Sequence, residues 1–450
     1  MGRSISSRRG PLPRPVVTAD DCTLTQFSGM VPVLRYLSEV LGIPASLGRV
    51  AGKPGRRRTY AVHHVLFAFL AGALTGVHRL AHLEWLRDDA VLLKFLRLPR
   101  WPVRKVFSRA LAGIDDAGVA ALQDLVAQVG LEPLAGRGSA VVDLDSSAIV
   151  SFGNHEGTAF GYAGKGSRRR RHFPLVASVA ETRAVVHADY RDGRAIRAME
   201  ATAFLDRAIG RVLETLAEGA TLFVRGDSGF WSRHMGDWLL ERGHDFVFSL
   251  PLRPGVKLML TNSRWKGLDG DPDIQLAVVR GERLGLDPRL RVIGIRRRVL
   301  DPKAPPQGKR IAHCTRWRYQ ALVTSLDSDP ANCWRFYNDR ADCERVFRTA
   351  RQALGMGCLI GHALRANEVA FLLRLLAYNA DLRFAAHAQD RARREERKVH
   401  RIGLIARQRR FYNGGGRLLR AKGRWRLRVR DNARVHHLWA FYAPELVRRE

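Results

Sequence analysis

Apolar and polar residues change their spacing twice along the chain, which predicts three successive kinds of structure. From about residue 25 the apolar positions follow helical spacing: Tyr60 to Leu80 forms an apolar pattern, and 83–98 (LEWLRDDAVLLKFLRL) an amphipathic one. We therefore predict a helical domain over 25–137, preceded by a basic disordered arm over 1–24. The arginines of the helical domain favour DNA recognition, and a purely structural helical domain is the alternative.

At Gly138 the spacing becomes that of β-strands. The segment 140–150 (AVVDLDSSAIV) is a predicted strand, and a Gly-rich and then basic loop follows it. The next elements are two strands of a hairpin, a helix, a strand, a helix and a strand: FPLVASVA, AVVHADYR, Ala195 to Leu216, 220–226, FWSRHMGDWLLERG and HDFVFSL. This order predicts an α/β sheet with an antiparallel start over 138–250.

Helical spacing is then lost until Pro330, and three segments with strand patterns follow one another: IQLAVVRG, LRVIGIRRRV and YQALVTSL. We predict a β-rich insertion over 251–330 that forms a subdomain separate from the central sheet. Helices return over 331–388, as the last helices of the core, and 389–450 is a basic C-terminal region that contains a hairpin (GGGRLLRAKGRWRLRVR).

The segment from Cys333 to Leu354 lacks Gly and Pro and follows Asp329-Pro330, which predicts one continuous helix. Its polar residues recur every three or four positions and so share one stripe. The stripe consists of Tyr337, Arg340, Glu344, Arg348 and Arg351. A single glutamate among arginines is ordinarily a solvated ion-pair surface, so this stripe needs support from elsewhere in the chain.

The net charge supplies part of that support. The chain has 76 Lys and Arg residues against 43 Asp and Glu residues, a formal charge of +33. Repulsion on this scale is costly unless a polyanion binds, so we expect nucleic acid as the partner. Basic residues concentrate at 53–58, at 168–171 with Arg168, Arg169 and Arg170, and at 391–430.

Other classes of protein fit the sequence less well. The five cysteines form no Cys-x-x-Cys pair, which argues against a disulfide framework or a zinc ribbon and fits a reducing cytosol. The first residues lack the apolar segment of a signal peptide. The longest apolar run, Val65 to Val77, is too short to span a bilayer, so we expect no membrane partner.

Acidic residues mark the ends of two predicted strands. Asp143 and Asp145 lie two apart on the first strand and so point to one face, and Asp227 ends the fourth. Carboxylates at the carboxyl ends of neighbouring strands lie where α/β sheets bind ligands, and they suit Mg²⁺ or Mn²⁺. With Glu344 on a late helix they predict a two-metal site for phosphoryl transfer. The alternatives are a strand-edge role for Asp143 and a helix N-cap role for Asp227.

The spacing Tyr337-x2-Arg340-x3-Glu344-x6-Arg351 resembles the Tyr-Arg-Glu-Lys signature of bacterial insertion-sequence DDE transposases, with arginine in the lysine place. DLDSS at 143–147 is similar to the first acidic motif of that family, and RGDSGF at 225–230 to the second. The resemblance makes Asp145, Asp227 and Glu344 the catalytic and metal-binding residues, with Asp143 as the substitute for the first.

The resemblance implies an RNase H-like catalytic core with a helical N-terminal domain and a β-rich insertion before the last acid. It implies cut-and-paste transposition, in which a homodimer cleaves at the terminal inverted repeats of its element and transfers the strand ends. Tyr337, Arg340, Arg348 and Arg351 are expected near phosphates. Trp317 and Tyr319 are candidates for stacking on an extruded base, with ordinary aromatic packing as the alternative.

Two other functions remain compatible with the sequence. One is a metal-dependent nuclease with the same core that hydrolyses DNA but does not join strands. The other is a catalytically inactive, DNA-binding descendant of a transposase.

Overall fold

The computed structural model describes residues 23–52, 59–163, 167–299, 317–398, 402–430 and 432–447, without the side chains of 342–344. Most of the predicted N-terminal arm and the basic loop at 53–58 lie outside the described residues. The described chain forms a helical part, a nine-stranded mixed sheet and two small three-stranded sheets. In the described residues, no helix combines the length and the apolar character needed to cross a membrane.

The N-terminal part is helical, as predicted. Its α-helices are α1 Met30–Arg35, α2 Ile43–Val50, α3 Val62–Leu74, α4 Ala90–Phe95, α5 Arg104–Ala112 and α6 Asp116–Leu131. The amphipathic helix predicted over 83–98 is instead a 3-10 helix at Leu80–Leu86 followed by α4. The break has a local cause, because the Asp89 carboxylate caps α4 by accepting hydrogen bonds from the backbone N–H groups of Val91 (3.1 Å) and Leu92 (3.0 Å).

The central sheet is built from both halves of the chain after residue 138. In chain order its strands are β2 Ser139–Ser146, β6 Leu175–Val179, β7 Val185–Asp189, β8 Thr221–Gly226, β9 Asp245–Ser249, β10 Lys266–Leu268, β11 Asp271–Arg280, β12 Arg291–Arg298 and β13 Trp317–Thr324. Across the sheet they lie in the order β10-β11-β12-β13-β9-β8-β2-β6-β7. β8 is parallel to both β2 and β9, and every other neighbouring pair is antiparallel.

The predicted separate subdomain over 251–330 is wrong in one respect. The segment is rich in strands, but β13 pairs with β9 through Leu322↔Ser249, Val323↔Phe248 and Thr324↔Val247, so its strands extend the central sheet. Leu322 and Val323 point to opposite faces and are both fully buried. A strand that is apolar on both faces needs neighbours and cover on both sides, which a small separate β-domain does not supply. The domain boundaries themselves remain predictions.

The two faces of the sheet have different cover. We call the face that carries the Asp143 side chain the front, and the face that carries Val142 and Leu144 the rear. The rear packs against α7 Ala198–Leu213 and α8 Arg233–Glu241. The front is covered at one end by α10 Pro330–Asn338 and at the other by α6 and α12 Leu364–Arg394. The short α9 Pro254–Thr261 leads into the added strands.

The loop predicted after the first strand contains a sheet of its own. Its strands are β3 Ile149–Val150, β4 Ala159–Tyr162 and β5 Arg168–His172, in the order β3-β5-β4. The run of arginines concealed it, because a strand with exposed charges on both faces lacks an apolar alternation.

The helix predicted from Cys333 to Leu354 is two helices, α10 and α11 Ala341–Leu354. Helix α10 begins as predicted, with the Asp329 carboxylate accepting a hydrogen bond from the N–H of Ala331 (2.9 Å). The chain turns at Asp339-Arg340, where the Arg340 N–H donates to the carbonyl of Tyr337. The Arg340 side chain is buried.

The basic C-terminal region is part of the folded body. Its elements are α13 Leu404–Arg407, the π-helix Gln408–Tyr412, the predicted hairpin as β14 Gly416–Ala421 and β15 Arg424–Val429, and α14 Ala433–Tyr442. β14 also pairs with β1 Leu24–Thr25. The rings of Phe411, Tyr412, Phe441 and Tyr442 are buried in the helical core, so the two ends of the chain are held together there.

Candidate active site

The acids predicted at two strand ends belong to the ends of two neighbouring strands. Strands β2 and β8 are parallel neighbours with the register Asp143↔Arg225 and Leu144↔Gly226. Continued by one residue, this register sets Asp145 beside Asp227, about 4.8 Å away in the pairing direction. Alternation then puts both side chains on the front face, the face of Asp143 and Arg225. We therefore expect the two carboxylates to meet at the carboxyl edge of the sheet.

Asp143, the other acid of the first motif, has a different environment. Its carboxylate is buried and accepts two hydrogen bonds from Arg225, from Nε to Oδ1 at 2.7 Å and from Nη2 to Oδ2 at 2.8 Å. Arg225 also donates from Nη1 to the carbonyl of Phe336 at the end of α10 (2.6 Å). The side chain of Asp145 is 14 % exposed against 2 % for Asp143. Asp143 thus joins β2, β8 and α10, and Asp145 is the acid that faces the edge.

Helix α11 packs against β2 at this edge, and its arginines contact the strand. Arg340, at the start of α11, donates from Nη2 to the Leu144 carbonyl (2.8 Å) and lies 3.4 Å from Asp145 Oδ1. Arg351, about 16 Å further along the helix axis, donates from Nη2 to Ser147 Oγ (2.5 Å) and to the Ala148 carbonyl (2.6 Å). Both ends of α11 are thus fixed to the end of β2.

Glu344 lies on α11 one turn after Arg340. Its side chain lies outside the described residues, so the predicted convergence of three carboxylates stays a prediction. Its helical position does follow, because residues four apart on a helix lie above one another on the same face. Since Arg340 contacts Leu144 and Asp145, the Glu344 backbone belongs to the turn of α11 next to the carboxyl end of β2.

Arg340 is buried in the protein, whereas Arg351 is exposed overall and only its guanidinium, which contacts Ser147 and Ala148, is partly desolvated. Arg340 is 6 % exposed. Burial lowers the pKa of the Arg351 guanidinium, and the negative charge of Asp145 acts in the opposite direction. Arg340 contacts Leu144 and Asp145 in this conformation, and its predicted contact with a phosphate stays a prediction. Arg348 is exposed and Tyr337 is half-buried against α10 and the sheet.

The donors at the edge suit a hard divalent cation. Asp145 and Asp227 offer carboxylate oxygens, which Mg²⁺ and Mn²⁺ prefer. Each carboxylate is already oriented, since Asp145 Oδ1 accepts from the Ser146 N–H (2.8 Å) and Asp227 Oδ1 from the Gly229 N–H (2.9 Å). Among the side chains that the structure describes, which exclude Glu344, no three His, Cys, Asp or Glu residues cluster as metal ligands.

The aromatic pair proposed for base stacking lies on the other side of the sheet. Trp317 and Tyr319 alternate with the front-facing Leu322 and belong to the rear face. Tyr319 is 9 % exposed, and its ring contacts Trp265 at 5.7 Å between centroids. Trp317 lies under the Arg296 guanidinium, 4.5 Å from its ring centre. These two positions fit the packing alternative, because the rings face away from Asp145.

A different tryptophan lines a cleft that reaches Ser228, the residue after Asp227, and the sequence prediction missed it. Tyr319 also contributes to the lining of this cleft. A front-face cleft beside Asp227 is lined by Ser228, Arg297, Trp334 and Asn338, among others. Trp334 is half-buried on α10, three residues before Tyr337. That helical spacing to a residue already in the stripe was the available signal in the sequence.

The basic residues predicted at 168–170 lie on β5 of the small sheet. Arg168 and Arg169 are exposed, and Arg170 is half-buried. This sheet follows directly on β2, so at most about 14 Å of extended chain separates Asp145 from Ile149, its first strand residue.

Comparison with known proteins gives a family match and matches to solved structures. Residues 17–263, more than half of the chain, match the family described as transposase DDE domain group 1. The match spans Asp145 and Asp227 and ends before Glu344. A cryo-EM structure of the piggyBac transposase synaptic complex with hairpin DNA is similar over 86 % of this chain and 79 % of that chain, with 11 % sequence identity and a TM-score of 0.47. No curated protein matches the sequence.

Proposed function

The chain belongs to the transposase DDE domain group 1 family, and on that premise we propose that it cuts and rejoins the ends of an insertion sequence. In this proposal it acts on double-stranded DNA, at the terminal inverted repeats of its own element, by cut-and-paste transposition. The formal charge of +33 supports a polyanionic partner. We further propose a homodimer on DNA and a location in the bacterial cytoplasm.

The observation that carries the proposal is the register of β2 and β8. It supports a shared site for Asp145 and Asp227, with α11 and its Glu344 backbone against the same strand end. A site that clamps both the attacking and the leaving oxygen of a phosphodiester needs carboxylates close enough to share a metal pair. The ends of two adjacent strands and the start of α11 against them support that requirement.

The protein's own residues would hold this site in place before DNA binds. The Arg225–Asp143 ion pair fixes the register of the two strands, and so the spacing between Asp145 and Asp227. Arg340 holds α11 against the strand end through Leu144, and Arg351 holds the loop that leaves it. Asp145, Asp227 and Glu344 would hold the divalent ions. Mg²⁺, when bound, would supply charge stabilisation and a deprotonated water or hydroxyl as nucleophile.

We also propose that the core is RNase H-like. Three antiparallel strands, β7-β6-β2, continue into β8 and β9, which run parallel to β2 and are each preceded by a helix. This order supports the proposal, and the four added strands β13 to β10 correspond to the insertion expected before the last acid. Trp334, in the cleft next to Asp227, replaces Trp317 and Tyr319 as our candidate for contact with an extruded base.

The experiment that tests the function uses labelled duplexes that end in the inverted repeats flanking the reading frame. Purified protein with Mg²⁺ is expected to nick at the repeat end and then to join that 3′ end to a second DNA, and EDTA should abolish both products. Nicking without joining would favour the nuclease alternative. DNA binding without either product would favour the inactive descendant. A duplex with scrambled repeats is the control for sequence specificity.

A further inference from the structure

One face of the small sheet presents two aromatic rings and two arginines to solvent. Phe160 and Tyr162 lie two apart on β4 and are 63 % and 61 % exposed. In the register of β4 and β5, Phe160 is opposite Arg170 and Tyr162 is opposite Arg168. Directly opposed residues share a face, so these four side chains form one surface, which we call the aromatic platform. The Arg170 guanidinium lies 5.1 Å from the Phe160 ring centre, as that arrangement requires.

The opposite face of this small sheet is fastened to the protein. Arg171 is 5 % exposed, donates from Nε to the Gly193 carbonyl (3.2 Å) and covers the Phe173 ring at 3.8 Å. Gly161 makes room for it, because a Cβ at this position would lie 2.5 Å from Arg171 Nε. The exposed rings therefore belong to a strand of a sheet that is fixed to the protein, and not to a loop.

A short segment of chain connects the small sheet that carries the platform to the acidic strand end. β3 begins four residues after Asp145, and the segment between them is held by the hydrogen bonds of Arg351 to Ser147 and Ala148. A DNA strand that leaves the acids along the front of the protein would need to travel only a few nucleotides to reach the platform. Exposed apolar rings of this size are costly in water unless they serve as a contact surface.

We propose that the aromatic platform binds a single-stranded segment of DNA next to the cleavage site, with bases stacked on Phe160 and Tyr162 and phosphates beside Arg168 and Arg170. Residues two apart on a strand are about 6.8 Å apart, twice the 3.4 Å rise per nucleotide of a B-DNA strand. The two rings therefore suit successive bases that have separated from each other, whereas the bases of an intact duplex keep their faces covered. Arginine–aromatic surfaces of this kind are typical of single-strand binding.

This inference rests on the proposed function for its location in the reaction, but its test does not need cleavage. Binding of oligothymidine and of a repeat-end duplex is measured by fluorescence anisotropy in the presence of EDTA. The double variant Phe160→Ala/Tyr162→Ala should weaken oligothymidine binding at least about tenfold, because stacking on each ring contributes independently. Duplex binding should change less than twofold. Phe160→Trp, which keeps an aromatic face, should retain single-strand binding where Phe160→Leu does not.

Two matched controls separate the platform from general effects. Trp85 is 73 % exposed but lies in the helical part, so Trp85→Ala should leave oligothymidine affinity unchanged. Arg169 is exposed on the same strand as Arg168 but alternates to the other face, so Arg168→Gln should weaken binding more than Arg169→Gln. Equal loss in the two arginine variants would mean unspecific charge attraction and would overturn the proposal.

An unchanged affinity of the double variant for oligothymidine would also overturn the proposal, and the rings would then contact a partner of another kind. If the wild-type protein cuts repeat ends and the double variant keeps its affinity for oligothymidine, the role of the platform is refuted and the proposed function is not. A protein that never cuts, yet loses single-strand binding in the double variant, refutes the proposed function and retains the platform.

Discussion

Asp143 and Arg225 form a two-point ion pair inside the protein, with each side chain 2 % exposed and the Nε–Oδ1 distance 2.7 Å. The pair lies two residues before Asp145 and Asp227, which follow the last paired residues of β2 and β8, Leu144 and Gly226. The ion pair distinguishes Asp143 from Asp145, which the sequence alone does not. Asp143 holds β2 and β8 together through Arg225.

Asp143→Asn should therefore destabilise the protein by about 3–5 kcal/mol, since it leaves the Arg225 charge buried without its partner. Asp145→Asn, the same change two residues along the same strand, should cost about 1 kcal/mol, because its 3.4 Å contact with Arg340 is weaker. Urea unfolding of both variants measures the difference. Under stabilising conditions only Asp145→Asn should abolish cleavage, and the reverse pattern would make Asp143 the catalytic acid.

Arg351 is expected to act on the loop after Asp145 through Ser147 and Ala148. Arg351→Ala should slow single-turnover cleavage about ten- to a hundredfold, which corresponds to about 1.4–2.8 kcal/mol in the barrier. Arg351→Lys, which keeps a charged donor, should retain most of the rate.

A double-mutant cycle with Ser147→Ala identifies the route of this effect. If Arg351 acts through the loop, the two alanine substitutions should be non-additive by about 0.5 kcal/mol or more. Strict additivity would indicate that Arg351 acts on the DNA alone.

A second buried ion pair should govern the stability of the C-terminal region. Arg407 donates from Nε to Asp381 Oδ1 on α12 (3.0 Å), and the Tyr412 hydroxyl donates to the same oxygen (2.6 Å). Asp381→Asn should lower the free energy of unfolding by about 3–5 kcal/mol, because the Arg407 charge stays buried. Tyr412→Phe removes one hydrogen bond and should cost about 1–3 kcal/mol. Equal stability of Asp381→Asn and wild type in thermal unfolding would contradict this account.

The C-terminal hairpin is expected to contact DNA phosphates. Arg424, Arg426 and Arg428 alternate on β15 and are exposed on one face. Changing all three to Gln should reduce the slope of log affinity against log salt by up to about 2.7, since each phosphate contact contributes about 0.9. The matched Lys variant keeps the charge and should keep the slope. Truncation after Asp390 is unsuitable for this test, because it would remove Phe411 and Tyr442 from the core.

Most elements of the fold could be predicted from local patterns, because β-branched runs and helical spacing are properties of short segments. The pairing of strands in the sheet could not be predicted in this way. Nothing local in β13 shows that it pairs with β9. The run of arginines in β5 hides the alternation of the small sheet, in which arginine side chains pack on aromatic rings. The turn at Arg340 also has a distant cause, since the side chain is held by Leu144.

The candidate site was predictable to the level of residue types and strand ends. The choice between Asp143 and Asp145 was not, because alternation puts both on one face and only the distant Arg225 distinguishes them. The packing of Trp317 and Tyr319 on the rear face was unpredictable for a related reason. Their face of the sheet is set by the pairing of β13 with β9, which the sequence does not reveal.

The central claim is that Asp145, Asp227 and Glu344 bind one pair of divalent ions. Anomalous scattering from Mn²⁺ in crystals of the protein with a repeat-end duplex measures this directly. We expect two peaks about 3.5–4 Å apart at the carboxyl edge of β2 and β8, contacted by all three carboxylates. Carboxylates spread more than about 10 Å apart, or Mn²⁺ bound elsewhere with an empty strand edge, would contradict the claim, because no metal pair of that spacing could then be shared.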